Sequence, residues 1–279
     1  MLAVQYGKND VACLQKEQRL FPLGHPLRYD RFMSDAPRPG GPIAEQLITT
    51  GDTLFKWRSY APLVLLPLFI LSLMDERPPT PFAWEFMCFL ISLSGLFLRA
   101  YVVGTAPEGT STRGTRRPTA DSLSTRGAYS IVRHPLYLAN TLVALGCSLL
   151  SGTWYLPVIV ILLSFIYHER IAAREELFLQ NTFGERFLTW AREVPAMFPA
   201  FRNYRASAVP FQIHKVFIQE SHGLCAIGTA FLVLDALEDS IRLRTPHVDP
   251  RWVAVFVATL MPFLYVVISK KAAQGVPKL

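Results

Sequence analysis

Arg133, His134 and Tyr137 stand around a proline in Arg133-His134-Pro135-Leu136-Tyr137, where a basic polar stretch gives way to an apolar one. Proline has a fixed φ and no N–H, so it suits the first helical position, and the donors just after it lack partners within the helix. Such a start offers a ligand oriented N–H groups, partial positive charge and two hydrogen-bonding side chains. A second polar group, Arg174-Glu175-Glu176 followed by Phe183-Gly184, continues another apolar run. Two polar groups flanking one apolar hairpin point to a site.

Read as a helix closed by Gly184, residues 168 to 184 advance about 100° per residue. His168, Ile171, Phe178 and Leu179 then share a face, and Glu175 projects from its middle. Arg170 and Arg174, one turn apart, sit at the edge, and Glu176 points further round. A carboxylate on an apolar face needs a partner, because desolvating it alone is costly. An ion pair with Arg133 or Arg99 would lock helices together; a polar or cationic ligand between helices would give Glu175 a function. By itself His134 reads equally as a cap, and Gly127 and Tyr129 as turn and packing residues.

Other chemistries find no support in the sequence. No Ser-His-Asp order, metal-ligand array or dinucleotide glycine pattern stands out, and no metal site is expected. The Gly-, Thr- and Arg-containing loop 104 to 118 matches no phosphate-binding loop. Cys88, Cys147 and Cys225 fall in apolar runs and Cys13 in a polar one, so neither disulfides nor structural zinc is expected. Methyl transfer from a sulfonium donor fits a site this sparse, since the donor carries the activated group and the protein supplies orientation and charge.

The chain positions these residues in a membrane. It is 51% hydrophobic and 18% charged, with mean hydropathy +0.27, the balance of an all-α, polytopic helix bundle. The net charge of +7 resides in loops between apolar runs, which favours an anionic membrane surface over nucleic acid. Six spans are expected, at 54–74, 82–103, 136–151, 153–169, 220–237 and 252–269, with Ser151-Gly152-Thr153 as a tight turn in a short hairpin. Glu85 and Arg99 are the charges noted within spans. Arg and Lys concentrate in 104–135, 170–221 and the C-terminal tail, which places both polar groups on the cytoplasmic face. A bacterial inner membrane is the expected setting. Residues 1–50 read as a polar, disordered leader. They lack an apolar signal segment, and Met33-Ser34-Asp35-Ala36-Pro37 fits a translational start as well as Met1 does.

The ordered set Gly127-Ala128-Tyr129, Arg133-His134-Pro135-Leu136-Tyr137, a short hairpin, Glu175-Glu176, Phe183-Gly184, Val194-Pro195 and Pro199 resembles the isoprenylcysteine carboxyl methyltransferase and phospholipid methyltransferase family of integral membrane enzymes. The resemblance runs from about 85 to 200. It implies a core over 51–200, with 201–279 as a linker and two further helices. It implies S-adenosylmethionine as cofactor, held by the stretch Asp121 to Ser124, including Leu123 and Ser124, by Tyr129, by His134, Pro135, Leu136 and Tyr137, and by Glu175. The partner is a lipophilic acceptor from the bilayer: a prenylcysteine carboxylate, a phospholipid or a lipid phosphate. Enzymes acting on prenylcysteine carry an arginine four residues before the first glutamate, where this chain has Ile171. Arg170 and Arg174 are therefore the expected catalytic, acceptor-facing residues. The Arg-His-Pro-x-Tyr pattern also resembles membrane sterol reductases that use NADPH, although Glu175-Glu176 and Phe183-Gly184 depart from their later motif. A non-catalytic membrane protein of the same fold is the third reading.

Overall fold

The computed structural model describes residues 42–57, 60–75, 80–107 and 122–274, and among them the chain is helical apart from loops and a single β-bridge between Gly127 and Arg205. Eight α-helices follow in order: α1 (Pro42–Trp57), α2 (Ala61–Ser72), α3 (Phe82–Thr105), α4 (Pro135–Leu150), α5 (Tyr155–Phe183), α6 (Glu185–Glu193), α7 (Ile213–Leu243) and α8 (Pro250–Gln274). Three of them, α3, α5 and α8, have spans long and apolar enough to cross a bilayer. The expected leader lies mostly outside the described residues, as do Met33 and Asp121, but 42–50 are helical.

The six expected spans are not all reproduced. The segment 54–74 divides between α1 and α2, which begins anew with a proline in its first turn and holds Pro67 within it. Its 12 residues rise only about 18 Å, against a hydrocarbon core of roughly 30 Å. The 16 residues of α4 reach about 24 Å. Helix α7 runs 31 residues but buries Glu220, Ser221, Asp235 and Glu238, so Glu85 and Arg99 are not the main charges within the bundle.

Packing explains how α4 is placed. Gly146 of α4 stands so close to α3 that a Cβ there would come within 2.2 Å of Ser92 Oγ and 2.5 Å of the Cys88 carbonyl. Gly95 of α3 is equally tight, its Cβ position lying 2.5 Å from the Ala139 carbonyl. Small residues at both points let two apolar helices approach backbone to backbone, the packing available where lipid offers no hydrophobic drive. Ser92 Oγ donates to the Val143 carbonyl across the same seam at 2.9 Å. Beyond the seam, Phe89, Phe231 and Trp252 cluster with centroids 5.1 to 5.6 Å apart and join α3 to α7 and α8.

The hairpin between α4 and α5 is as tight as its residues require. Gly152 takes φ 67°, and Ser151 Oγ lies 2.9 Å from Thr153 Oγ1 while donating to the Ser148 carbonyl at 2.7 Å. Gly184, at φ 54°, ends α5 and starts α6 as expected. Gly146→Leu should lower stability by about 2–3 kcal/mol through overpacking, read as an earlier loss of helicity on heating in detergent, whereas Gly223→Ala, whose Cβ meets first the flexible end of Leu96 at 3.0 Å, should change it far less.

Candidate functional site

The N-cap of α4 is His134, yet its side chain makes no capping bond. The buried ring turns toward α5 instead, with Nε2 2.9 Å from Glu176 Oε1 and Nδ1 3.7 Å from Glu175 Oε2. Arg133 reaches the same carboxylate, donating from Nη1 to Glu176 Oε2 at 2.9 Å. Both oxygens of Glu176 are thus held by neighbouring residues of one loop. The ion pair considered for Glu175 forms one position along, and the alternative partner Arg99 is bound to Glu220 of α7, Nε to Oε2 at 2.8 Å.

Rings build the wall behind this cluster. Tyr137 lies between His134 and His168, with centroids 5.2 and 4.8 Å away and planes within 12° and 7° of parallel. Both faces being covered, the phenol ring is fixed. His168 Nδ1 lies 3.4 Å from Thr141 Oγ1, one turn beyond Tyr137 on α4. The helix-face reading that grouped His168 with Glu175 therefore describes the side of α5 turned to α4. His168 did not figure among the expected site residues; its separation from Glu175 by two helical turns was the available signal.

The remaining expected residues distribute between the site and its support. Leu123 is buried with Phe187, Trp190 and Val194 in a small core beneath the loop, against which Tyr129 packs. Ser124 is half-buried beside it, and Pro135 is buried at the head of α4. Tyr137 and Leu138 N–H both donate to the His134 carbonyl, so the Leu136 N–H is the donor that α4 does not use. Desolvation, with the Glu175 carboxylate as a second cause, pushes the Tyr129 phenol up to about 12.

Arg170 and Arg174 point elsewhere. The Arg174 guanidinium is buried on α1, paired with Asp52 and stacked 4.3 Å above the Phe55 ring. That pairing engages the Arg174 charge in docking α1. Arg170 folds along its own helix, Nη1 donating to the Ile166 carbonyl at 2.9 Å with Glu169 at 3.9 Å. Gly51 fits against this turn because a Cβ there would overlap the Arg170 carbonyl. Ile171, at the position where an arginine would mark a prenylcysteine enzyme, is fully buried.

Charge balance singles out Glu175. Glu176 receives two contacts at 2.9 Å, whereas the ionic contact of Glu175 is His134 at 3.7 Å. Arg133 Nε is buried without a hydrogen-bond partner among the described residues. A carboxylate with charge to spare beside a donor without an acceptor suits a zwitterionic ligand. Among the described residues no group of three or more His, Cys, Asp or Glu could hold a metal ion.

These features describe a helical bundle with three helices long and apolar enough to cross a membrane, and a cluster of charged side chains where the loop before α4 meets α5. Residues 86–186, a little over a third of the chain, match the family model for phospholipid methyltransferase. The match takes in α3, α4 and α5, with Arg133 through Tyr137 and Glu175-Glu176. The chain is also 33% identical over 123 residues to the cobalt-zinc-cadmium resistance protein CzcN of Cupriavidus metallidurans, covering 44% of this chain and 55% of that protein. It is 27% identical over 135 residues to the nickel-cobalt-cadmium resistance protein NccN of Alcaligenes xylosoxydans xylosoxydans, covering 48% of this chain and 60% of that protein. The chain thus aligns with little more than half the length of either relative. No solved structure matches.

Two outcomes test this geometry. Glu176→Ala should release Arg133 and His134 together, costing about 1–2 kcal/mol for partly buried charge-assisted contacts and raising amide exchange across residues 127–137. For Tyr129 the raised phenol pKa gives stability that is complete below pH ~10, the unfolded value, and is lost as pH rises toward about 12. Tyr129→Phe should abolish that part of the alkaline destabilisation and one late-titrating tyrosinate absorbance.

Proposed function

We propose that this protein is an S-adenosylmethionine-dependent methyltransferase acting on a lipophilic acceptor that enters from the bilayer, with its site on the cytoplasmic face. The observation that carries the reading is the uneven pairing of adjacent glutamates: Glu176 is held by the Arg133 guanidinium and the His134 ring, and Glu175 is left with a long contact. S-adenosylmethionine, when bound, supplies the methyl group as a sulfonium. Glu175 offsets that positive charge, and Arg133 Nε and the Leu136 N–H are donors for its amino-acid carboxylate. Tyr137, clamped by His134 and His168, gives a rigid wall. The chain's residues fit this cofactor by donor set and charge. The matched family and the bundle support the reaction class.

The acceptor is a phospholipid, a lipid phosphate or a prenylcysteine carboxylate. Burial of Ile171 and capture of Arg174 by α1 leave the prenylcysteine carboxylate without the arginine that such enzymes carry. This weights the reading toward lipid acceptors.

Calorimetric titration of the purified protein with S-adenosylmethionine and with its demethylated product tests the proposal. Saturable binding of both is expected, with that of S-adenosylmethionine weakened by about tenfold (~1.4 kcal/mol) in Glu175→Gln and that of the product, whose sulfur is uncharged, weakened less. Saturable NADPH binding in their place would instead assign the site to reductase chemistry.

A further inference from the structure

The segment from α6 to the start of α7 presents an unusual surface. Phe198 and Phe201 are 76% and 75% exposed, and Tyr204, Phe211 and Ile213 are also largely exposed. Arg202 lies in the same turn as Phe201, and Arg205 follows, its guanidinium exposed beside Glu193. In a water-soluble protein so many exposed aromatics would mark an interface awaiting a partner. Here the surroundings identify what covers them.

The segment is tied to the end of a membrane-spanning helix. Gln212 N–H donates to the Gly104 carbonyl at 2.9 Å, Ser207 Oγ to the Thr105 carbonyl at 2.9 Å, and Lys215 Nζ to the Ala106 carbonyl at 2.7 Å. Tyr204 and Tyr101 hydroxyls lie 3.0 Å apart. These bonds set the segment level with the last turn of α3, where the apolar span meets the polar boundary of the bilayer. Aromatic rings and arginines at that depth are the combination that sits among lipid head groups, rings at the acyl boundary and guanidinium groups on phosphates. The same segment also holds the loop that carries the site. Arg133 N–H donates to the Pro195 carbonyl, Ala200 N–H to the Ile131 carbonyl, and Gly127 N–H to the Arg205 carbonyl, each at 2.9 Å. Arg205 N–H donates to Ser130 Oγ at 2.9 Å.

We infer that residues 198–213 form a strap that binds the anionic lipid surface of the bilayer, through Phe198 and Phe201 as inserted rings and Arg202 and Arg205 as phosphate ligands, and so steadies the Gly127–His134 loop from behind. Uncharged lipid receives the rings but gives the arginines no net charge to meet. The inference rests on the strap's position and chemistry and is independent of which reaction the site performs.

Hydrogen–deuterium exchange of the full chain in nanodiscs tests it, comparing phosphatidylcholine alone with phosphatidylcholine containing roughly one-quarter phosphatidylglycerol. Amides of the strap and of residues 127–134 should exchange roughly tenfold more slowly in the anionic discs, and added salt should narrow the difference. In Arg202→Glu/Arg205→Glu the difference should disappear while the melting temperature in detergent is kept; Phe198→Ser/Phe201→Ser should raise strap exchange in both lipids. Equal exchange of the native protein in the two compositions would overturn the inference. So would a lipid difference that survives the arginine substitutions, or protection that follows the number of chains per disc and marks a second copy as the cover.

Discussion

Much of this molecule depends on one carboxylate held by two neighbouring side chains. Glu176 accepts from Arg133 and meets His134, so adjacent residues at the mouth of α4 are fixed to α5 through one side chain. That double contact turns the His134 ring away from its own helix N-terminus and into the stack with Tyr137. It also engages the Arg133 guanidinium, which leaves Glu175 with a longer contact, 3.7 Å to the His134 ring.

The close seam between α3 and α4 gives this arrangement a firm base. Gly95 and Gly146 bring the two backbones together, and Ser92 closes a hydrogen bond across them. On the other flank, Arg174, Asp52 and Phe55 dock α1 on α5, so the helix bearing Glu175 and Glu176 is gripped from two sides. Neighbouring positions on α5 therefore do different work: Arg174 faces α1, while Glu175 and Glu176 face the loop before α4.

The sequence was most legible where local geometry alone decides the outcome. Pro135 marked the start of α4, Gly184 the end of α5, and Ser151-Gly152-Thr153 the hairpin, because each rests on φ restrictions acting within a few residues. The face shared by His168 and Glu175 followed from helical periodicity. Partner choice among charges was not legible: Arg133 takes Glu176, Arg99 takes Glu220 from a helix far along the chain, and Arg174 takes Asp52. Such pairings depend on tertiary placement, and identical residue types offered several of them. The division of 54–74 into two helices is not legible in a hydropathy window, which continues across it, whereas the proline in the first turn of α2 starts a new helix. The charges buried in α7 escaped notice for the opposite reason, since apolar neighbours dominate any window around them.

Helix α5 acts as a depth gauge. Trp154, 80% exposed, and Tyr155 stand at its start, the place where aromatic residues mark a membrane boundary. Twenty residue steps separate Tyr155 from Glu175, a rise of about 30 Å, which is roughly the thickness of the hydrocarbon layer. In a bilayer that α5 crosses from Tyr155, Glu175 would lie about one hydrocarbon thickness away, level with the opposite head groups. Under the proposed methyl transfer, an acceptor entering from the bilayer must carry its reactive atom at that boundary; one whose reactive atom lies mid-chain would have to rise out of the oil to reach Glu175.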